Sequence, residues 1–163
     1  MYRVKKQTDV ESNYKLMVYM AKRVLEDDKD KIACLANISA VIYGYMDNIN
    51  WAGFYLVKNG ELVLGPFQGL PACTRIKLGS GVCGTAAIEQ KIQVVDDVEK
   101  FPGHIACDGA TKSEVVIPLI KNGVVFGVLD VDSPVLSRFA ETEVKYLMEI
   151  AGLIEKHLGD GVY

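Results

Sequence analysis

The sequence predicts an α+β fold: a central, mainly antiparallel sheet with helices from both chain ends packed on one face and long active-site loops on the other. Three observations predict it. Apolar residues recur at helical spacing near both ends, β-rich runs flank two Lys-Asn-Gly turns in the middle, and glycine-rich stretches separate those runs. At the amino end, Tyr14, Met17, Val18, Ala21, Val24 and Leu25 mark a helix from Glu11 to Leu25. Ile32, Leu35, Ile38, Ile42 and Tyr45 mark a second, and the two make a helical hairpin. "NWAGFYLV" and "ELVLGPF" then lie on either side of Lys58-Asn59-Gly60, a β-hairpin signal. "LGSGVCGTAAIEQ" reads as a tight loop entering a short helix near Val82, and "IQVV" as a brief strand. "SEVVIPLI" and "VVFGVLDVD" flank Lys121-Asn122-Gly123 as a second hairpin. Val144, Leu147, Met148, Ala151, Ile154 and Leu158 mark a closing amphipathic helix.

Half of the 163 residues are hydrophobic, enough for a substantial core, and the length suits one domain spanning residues 1–163. A formal charge of -3 and a pI near 5.4, with no cluster of lysine and arginine among aromatics, argue against nucleic acid as a partner. The amino-terminal "MYRVKKQTDV" leads into no apolar segment, and no window approaches the roughly 18 apolar residues of a membrane span. A cytoplasmic protein is expected. Its four cysteines are too sparse for a disulfide scaffold, so they should rest as thiols and any disulfide should be transient.

Cys34 lies within the second helical pattern and reads as a small buried hydrophobe. Cys73, Cys83 and Cys107 instead stand in "LPACTRI", "GSGVCGT" and "GHIACDG", loop-like or helix-start settings inside the long segments Gly65 to Gly84 and Asp96 to Ser113. Zinc suits them poorly: nine and 23 residues separate the three, without paired ligand spacing, although His104 stands three residues before Cys107. Redox catalysis suits them better, with one thiolate attacking an electrophilic sulfur and a neighbour capturing the sulfenic acid as a disulfide. Cys83 at a helix start and Cys107 beside His104 are both candidates for the nucleophile.

Asp130 and Asp132 interrupt an apolar strand and, two residues apart, share one face. Close carboxylates resist double ionisation, so one can hold a proton near neutrality and act as a general acid. Glu114 begins the partner strand. A three-residue loop at Lys121-Asn122-Gly123 would set it opposite Asp130, and a two-residue loop opposite Val131, so a three-acid site predicts the longer turn. Trp51, Phe54 and Tyr55 are candidate walls, with Trp51 and Tyr55 able to face the same side. Acids that protonate an oxygen beside thiols that attack a sulfur suit sulfoxide reduction, and an acidic site also attracts a substrate amine.

"NWAGFYL", "ELVLGPFQGLPACTRI", "GSGVCGTA", "FPGHIACDGATKSEVVIPL" and "GVLDVDSP", running in order from about Asn50 to Pro134, resemble the motifs of the free methionine-R-sulfoxide reductases, enzymes built on a GAF domain. The resemblance implies a GAF-like catalytic domain that reduces free L-methionine-R-sulfoxide, with thioredoxin as reductant and no metal or organic cofactor. It further implies that Cys107 is the attacking thiol and Cys73 the main resolving partner. Cys83 stays open as a disulfide relay or as the first nucleophile. Glu114, Asp130 and Asp132 match the family's substrate-binding acids, and Trp51 and Tyr55 the residues enclosing the substrate's methyl end. Members often pair as homodimers through their helices. The competing expectation is a non-catalytic GAF module that senses a small molecule or a redox signal; a chain of this length leaves no room for the output domain a sensor needs.

Overall fold

The computed structural model describes residues 3–105 and 107–158, so Ala106 of the "GHIACD" motif lies outside the described residues. Helices α1 (Val10–Asp27) and α2 (Lys31–Tyr45) come first. Each starts on an aspartate whose side chain accepts an orphan helix N–H: Asp9 from Ser12 and Asp30 from Ala33. Strands β1 (Trp51–Lys58), β2 (Glu61–Gly69) and β3 (Arg75–Lys77) follow, then α3 (Gly81–Glu89) and β4 (Gln93–Val95). A short 3-10 turn, Val98–Lys100, leads toward β5 (Ser113–Lys121), β6 (Val124–Ser133) and the closing helix α4 (Glu141–Leu158).

The strands form one antiparallel sheet of order β3-β2-β1-β6-β5-β4. Its period-two alternation divides the interior. Ala52, Phe54 and Leu56 of β1, Val115, Ile117 and Leu119 of β5, and Leu129 and Val131 of β6 pack with Met17, Leu35, Ile38, Leu147 and Ile150 of the helices. Trp51, Tyr55, Val116 and Val128 face the other way, onto Val82, Cys83 and Ala86 of α3. One sheet face is therefore sealed by α1, α2 and α4, and the other carries a single short helix and the loops. Among the described residues no helix is long and apolar enough to cross a membrane.

Three sequence expectations are corrected. Phe54 is not a wall of the loop side: one residue out of phase with Trp51 and Tyr55, it is fully buried in the helical core. The segment Gly65 to Gly84 is only partly loop, because β2 continues through Pro66 to Gly69 and β3 pairs alongside it. The turn at the tip of the second hairpin has two residues, not three. Lys121 faces Val124, and Asn122 and Gly123 both take positive φ (51° and 77°), the conformation that Asn-Gly favours in a tight hairpin. A β-bulge then shifts the register between Leu119 and Ile120, with Phe126 as the extra residue on β6. Beyond it Glu114 pairs with Asp132 rather than Asp130. The bulge restores the parity that the short turn alone would break, so the acids share a face by a route the sequence did not reveal.

Candidate active site

Three neighbouring strands bring the acids together. Asp132 lies between Trp51 on β1 and Glu114 on β5, and Asp130 lies between Gly53 and Val116. All of these residues stand on the sheet face away from the helical layer. A cleft of about 530 Å³, its open mouth included, lies over them and is bounded by Trp51 and Tyr55, the first turn of α3 and the loop carrying His104 to Thr111.

The aromatic wall is a stack. Trp51 lies between Tyr55 (ring centroids 5.9 Å apart) and Phe67 (5.2 Å), with interplanar angles of 24° and 15°. Gly53 makes the stack feasible: a Cβ there would stand 2.8 Å from the Phe67 Cα and from the Trp51 ring. The polar ends of the wall hold the neighbouring loop. Trp51 Nε1 donates to the Leu70 carbonyl at 3.2 Å, and the Tyr55 hydroxyl to the Cys73 carbonyl at 2.9 Å. That loop ends in a disulfide between Cys73 and Cys107, with Cα atoms 5.5 Å apart across a sequence separation of 34.

Cys83 is different. It is free, buried on the inner side of α3, and its thiol donates to Asp130 Oδ2 at 3.3 Å with Glu114 Oε1 3.9 Å away. Burial, reinforced by the charges of Asp130, Glu114 and Asp132, pushes this thiol well above its ordinary range, so it stays protonated at neutral pH. Cys34 is also free and buried, but among α1 and α2, remote from the cleft.

The acids are strained by the same burial. Glu114 is 7% exposed and Asp130 5%. Loss of solvent raises Asp130 to about 6. Desolvation and then the charge of Asp130 raise both Glu114 and Asp132 well above the usual carboxylate range, with a Thr111 hydrogen bond partly offsetting the rise at Asp132. Asp130 Oδ1 and Asp132 Oδ1 have no hydrogen-bond partner and no contact with water. The one basic side chain near them among the described residues is His104, whose Nε2 lies 3.9 Å from Glu114 Oε2 and whose own burial favours the neutral ring. The site thus holds carboxyl groups able to keep a proton at neutral pH and lacks the cation that would balance them once ionised.

Several residues at or beside the cleft carry no role in the sequence reading. Asn50 donates to Asp108 Oδ2 at 2.8 Å and to Thr111 Oγ1 at 3.0 Å, so it ties the Cys107 loop to the start of β1. The first turn of α3, from Gly81, borders the cleft with its orphan N–H groups. Asn50, Asp108 and Thr111 all sit inside or beside the quoted motifs, and their polarity next to a thiol was the available signal. His104 stands at the cleft, close to Glu114 and not to a group of sulfur ligands.

The family profile described as GAF domain matches residues 35–158. The protein YtsP of Bacillus subtilis (strain 168) is 51% identical over 161 residues, 97% of this chain and 99% of its own. The free methionine-R-sulfoxide reductase of Escherichia coli (strain K12) is 48% identical over 132 residues, 81% of this chain and 80% of its own. Among solved structures, the X-ray structure of free methionine-R-sulfoxide reductase from Neisseria meningitidis in complex with its substrate superimposes with a TM-score of 0.93 at 42% identity, covering 98% of this chain and 96% of that one. Fold and sequence agree with these relatives over most of the chain, which therefore belongs to the free methionine-R-sulfoxide reductases of the GAF-domain family.

Proposed function

We propose that the protein reduces free L-methionine-R-sulfoxide to L-methionine, with the chain acting as one catalytic domain in a reducing, cytoplasmic compartment. The observation that carries this reading is the convergence on one cleft of the disulfide-bonded Cys107, the buried acids Glu114 and Asp130 with the half-buried Asp132, and an aromatic stack. The substrate's ammonium group supplies the cation that Glu114, Asp130 and Asp132 lack, its carboxylate meets the N–H groups opening α3, and its methyl end lies against Trp51 and Tyr55. An amino acid with both charged ends free satisfies both poles of this cleft. A methionine sulfoxide within a polypeptide has lost both.

Cys107 is the attacking thiol. As its sulfur engages the sulfoxide sulfur, one of the raised-pKa carboxyl groups protonates the departing oxygen. The oxygen ends on Cys107 as a sulfenic acid and methionine leaves reduced. The Cys73 thiol then attacks the Cys107 sulfur, the S–S bond forms, and water is released with the Cys73 proton. A dithiol reductant of the thioredoxin type returns both cysteines to thiols by exchange and is itself oxidised to a disulfide. Cys83, held protonated against Asp130, serves the acid cluster rather than the sulfur chemistry.

The test is direct: purified protein, free methionine sulfoxide and dithiothreitol, with methionine measured for each sulfur epimer. Methionine should form from the R epimer and not from the S epimer or from a peptide-bound sulfoxide. No methionine from either free epimer would sink the proposal. Mass mapping after one equivalent of substrate should find Cys73 joined to Cys107, and a bond involving Cys83 would reassign the resolving thiol.

A further inference from the structure

We infer that Cys83, Glu114 and Asp130 form a binding site for a borderline-soft divalent cation, of the zinc or cadmium type, which competes for the place of a substrate ammonium and is not a resident cofactor. One sulfur and two carboxylate oxygens of these residues lie within 4.8 Å of one another, and all three residues are buried. A tetrahedral zinc ion with bonds of about 2.3 Å to sulfur and about 2.1 Å to oxygen needs a sulfur-to-oxygen spacing of roughly 3.6 Å. The spacings from Cys83 Sγ are 3.3 Å to Asp130 and 3.9 Å to Glu114, on either side of that value. Small side-chain adjustments suffice.

A second observation points to a cation independently of this spacing. Asp130 is 95% buried, yet its Oδ1 has no hydrogen-bond donor, and among the described residues lining the cleft no lysine or arginine balances the acids. A buried carboxylate with an oxygen left unpartnered and no cation beside it is costly to ionise, and a metal ion held by its other oxygen, Oδ2, neutralises the group as an ammonium would. The mixed sulfur and oxygen donor set selects zinc or cadmium over magnesium and calcium, and three protein ligands leave a fourth position open toward the cleft for water. Coordination replaces the S–H bond of Cys83 with a sulfur-metal bond and releases the thiol proton to solvent. Cys73 and Cys107 are not required, so the site exists while they are joined to each other.

The experiment uses the full chain under non-reducing conditions, with the Cys73–Cys107 bond intact, titrated with cadmium chloride and in parallel with zinc chloride. Cadmium should bind one equivalent per chain by calorimetry and raise the ultraviolet band of thiolate-to-cadmium charge transfer, with magnesium unable to displace it. Cys83→Ala should abolish the band. Asp130→Asn keeps the thiol and the side-chain shape, and it should weaken cadmium binding by at least the roughly 10–100-fold that loss of even an outer partner costs. The inference fails if the wild-type chain binds no cadmium, if Cys83→Ala retains the band, or if Asp130→Asn binds as tightly as wild type. None of these readouts depends on sulfoxide turnover, so the fate of the enzymatic proposal and of the metal site are decided separately.

Discussion

Cys83 and Cys107 separate at the level of single side chains. Both border the cleft, but Cys83 is fixed between two acids that keep its proton on, whereas Cys107 lies in a half-buried loop within bonding reach of Cys73. Cys107→Ser should therefore form no methionine even in a single turnover. Cys83→Ser, whose hydroxyl still donates to Asp130, should retain its single-turnover burst; quenched-flow analysis of methionine separates the two. Asp130 supports a second expectation. Its pKa is about 6 in the folded chain against 3.8 ordinarily. Between these values the unfolded chain loses a proton that the folded chain keeps, so this group's contribution falls as pH rises through the window and stays low above it. The gap corresponds to roughly 3 kcal/mol. Asp130→Asn should therefore raise the thermal midpoint at neutral pH, show no such gain below about pH 4, and weaken substrate binding. A gain that is the same at every pH would show that the buried carboxylate is not its source.

At the scale of elements, the site depends on strand pairing. The bulge on β6 reconciles a two-residue Asn-Gly turn with acids that must share one face, because a register slip of one residue would turn Glu114 or its partners to opposite sides. On β1, Gly53 leaves room for the Trp51 and Phe67 rings to stack directly beside Asp130. Gly53→Ala would drive a methyl group into the Phe67 backbone, with no flexible side-chain end to yield. Overpacking of this kind costs about 1–3 kcal/mol. The variant should melt at lower temperature and bind substrate more weakly, while Gly152→Ala, with open space at its Cβ position, should do neither.

Across the whole molecule the sheet separates labour. Its helical face is a sealed core that carries stability, and its other face is left to a short helix and two loops that only the cysteine bond joins covalently. That bond closes a loop of 34 residues, for which loop-closure entropy gives about 4 kcal/mol at most. Dithiothreitol should therefore lower the thermal midpoint of the oxidised protein, and Cys73→Ser should abolish the difference. Periodicity in the sequence was sufficient for the helices, the two hairpins and the alternation of Asp130 with Asp132, because these follow from local spacing alone. The cysteine, acid and aromatic motifs, read together, were sufficient for the family. Phe54, the tip of the second hairpin and the state of Cys83 were beyond it. Phe54 faces whichever side the strand's phase dictates, the bulge compensates at one end of a hairpin for a turn chosen at the other, and the proton on Cys83 is held by carboxylates 31 and 47 residues away along the chain. Sequence alone determined which chemistry this chain carries. Only the tertiary structure set the surroundings of its thiols, burying Cys83 against two acids and joining Cys73 to Cys107, because burial and charge are properties of neighbours that the fold, not the order of residues, supplies.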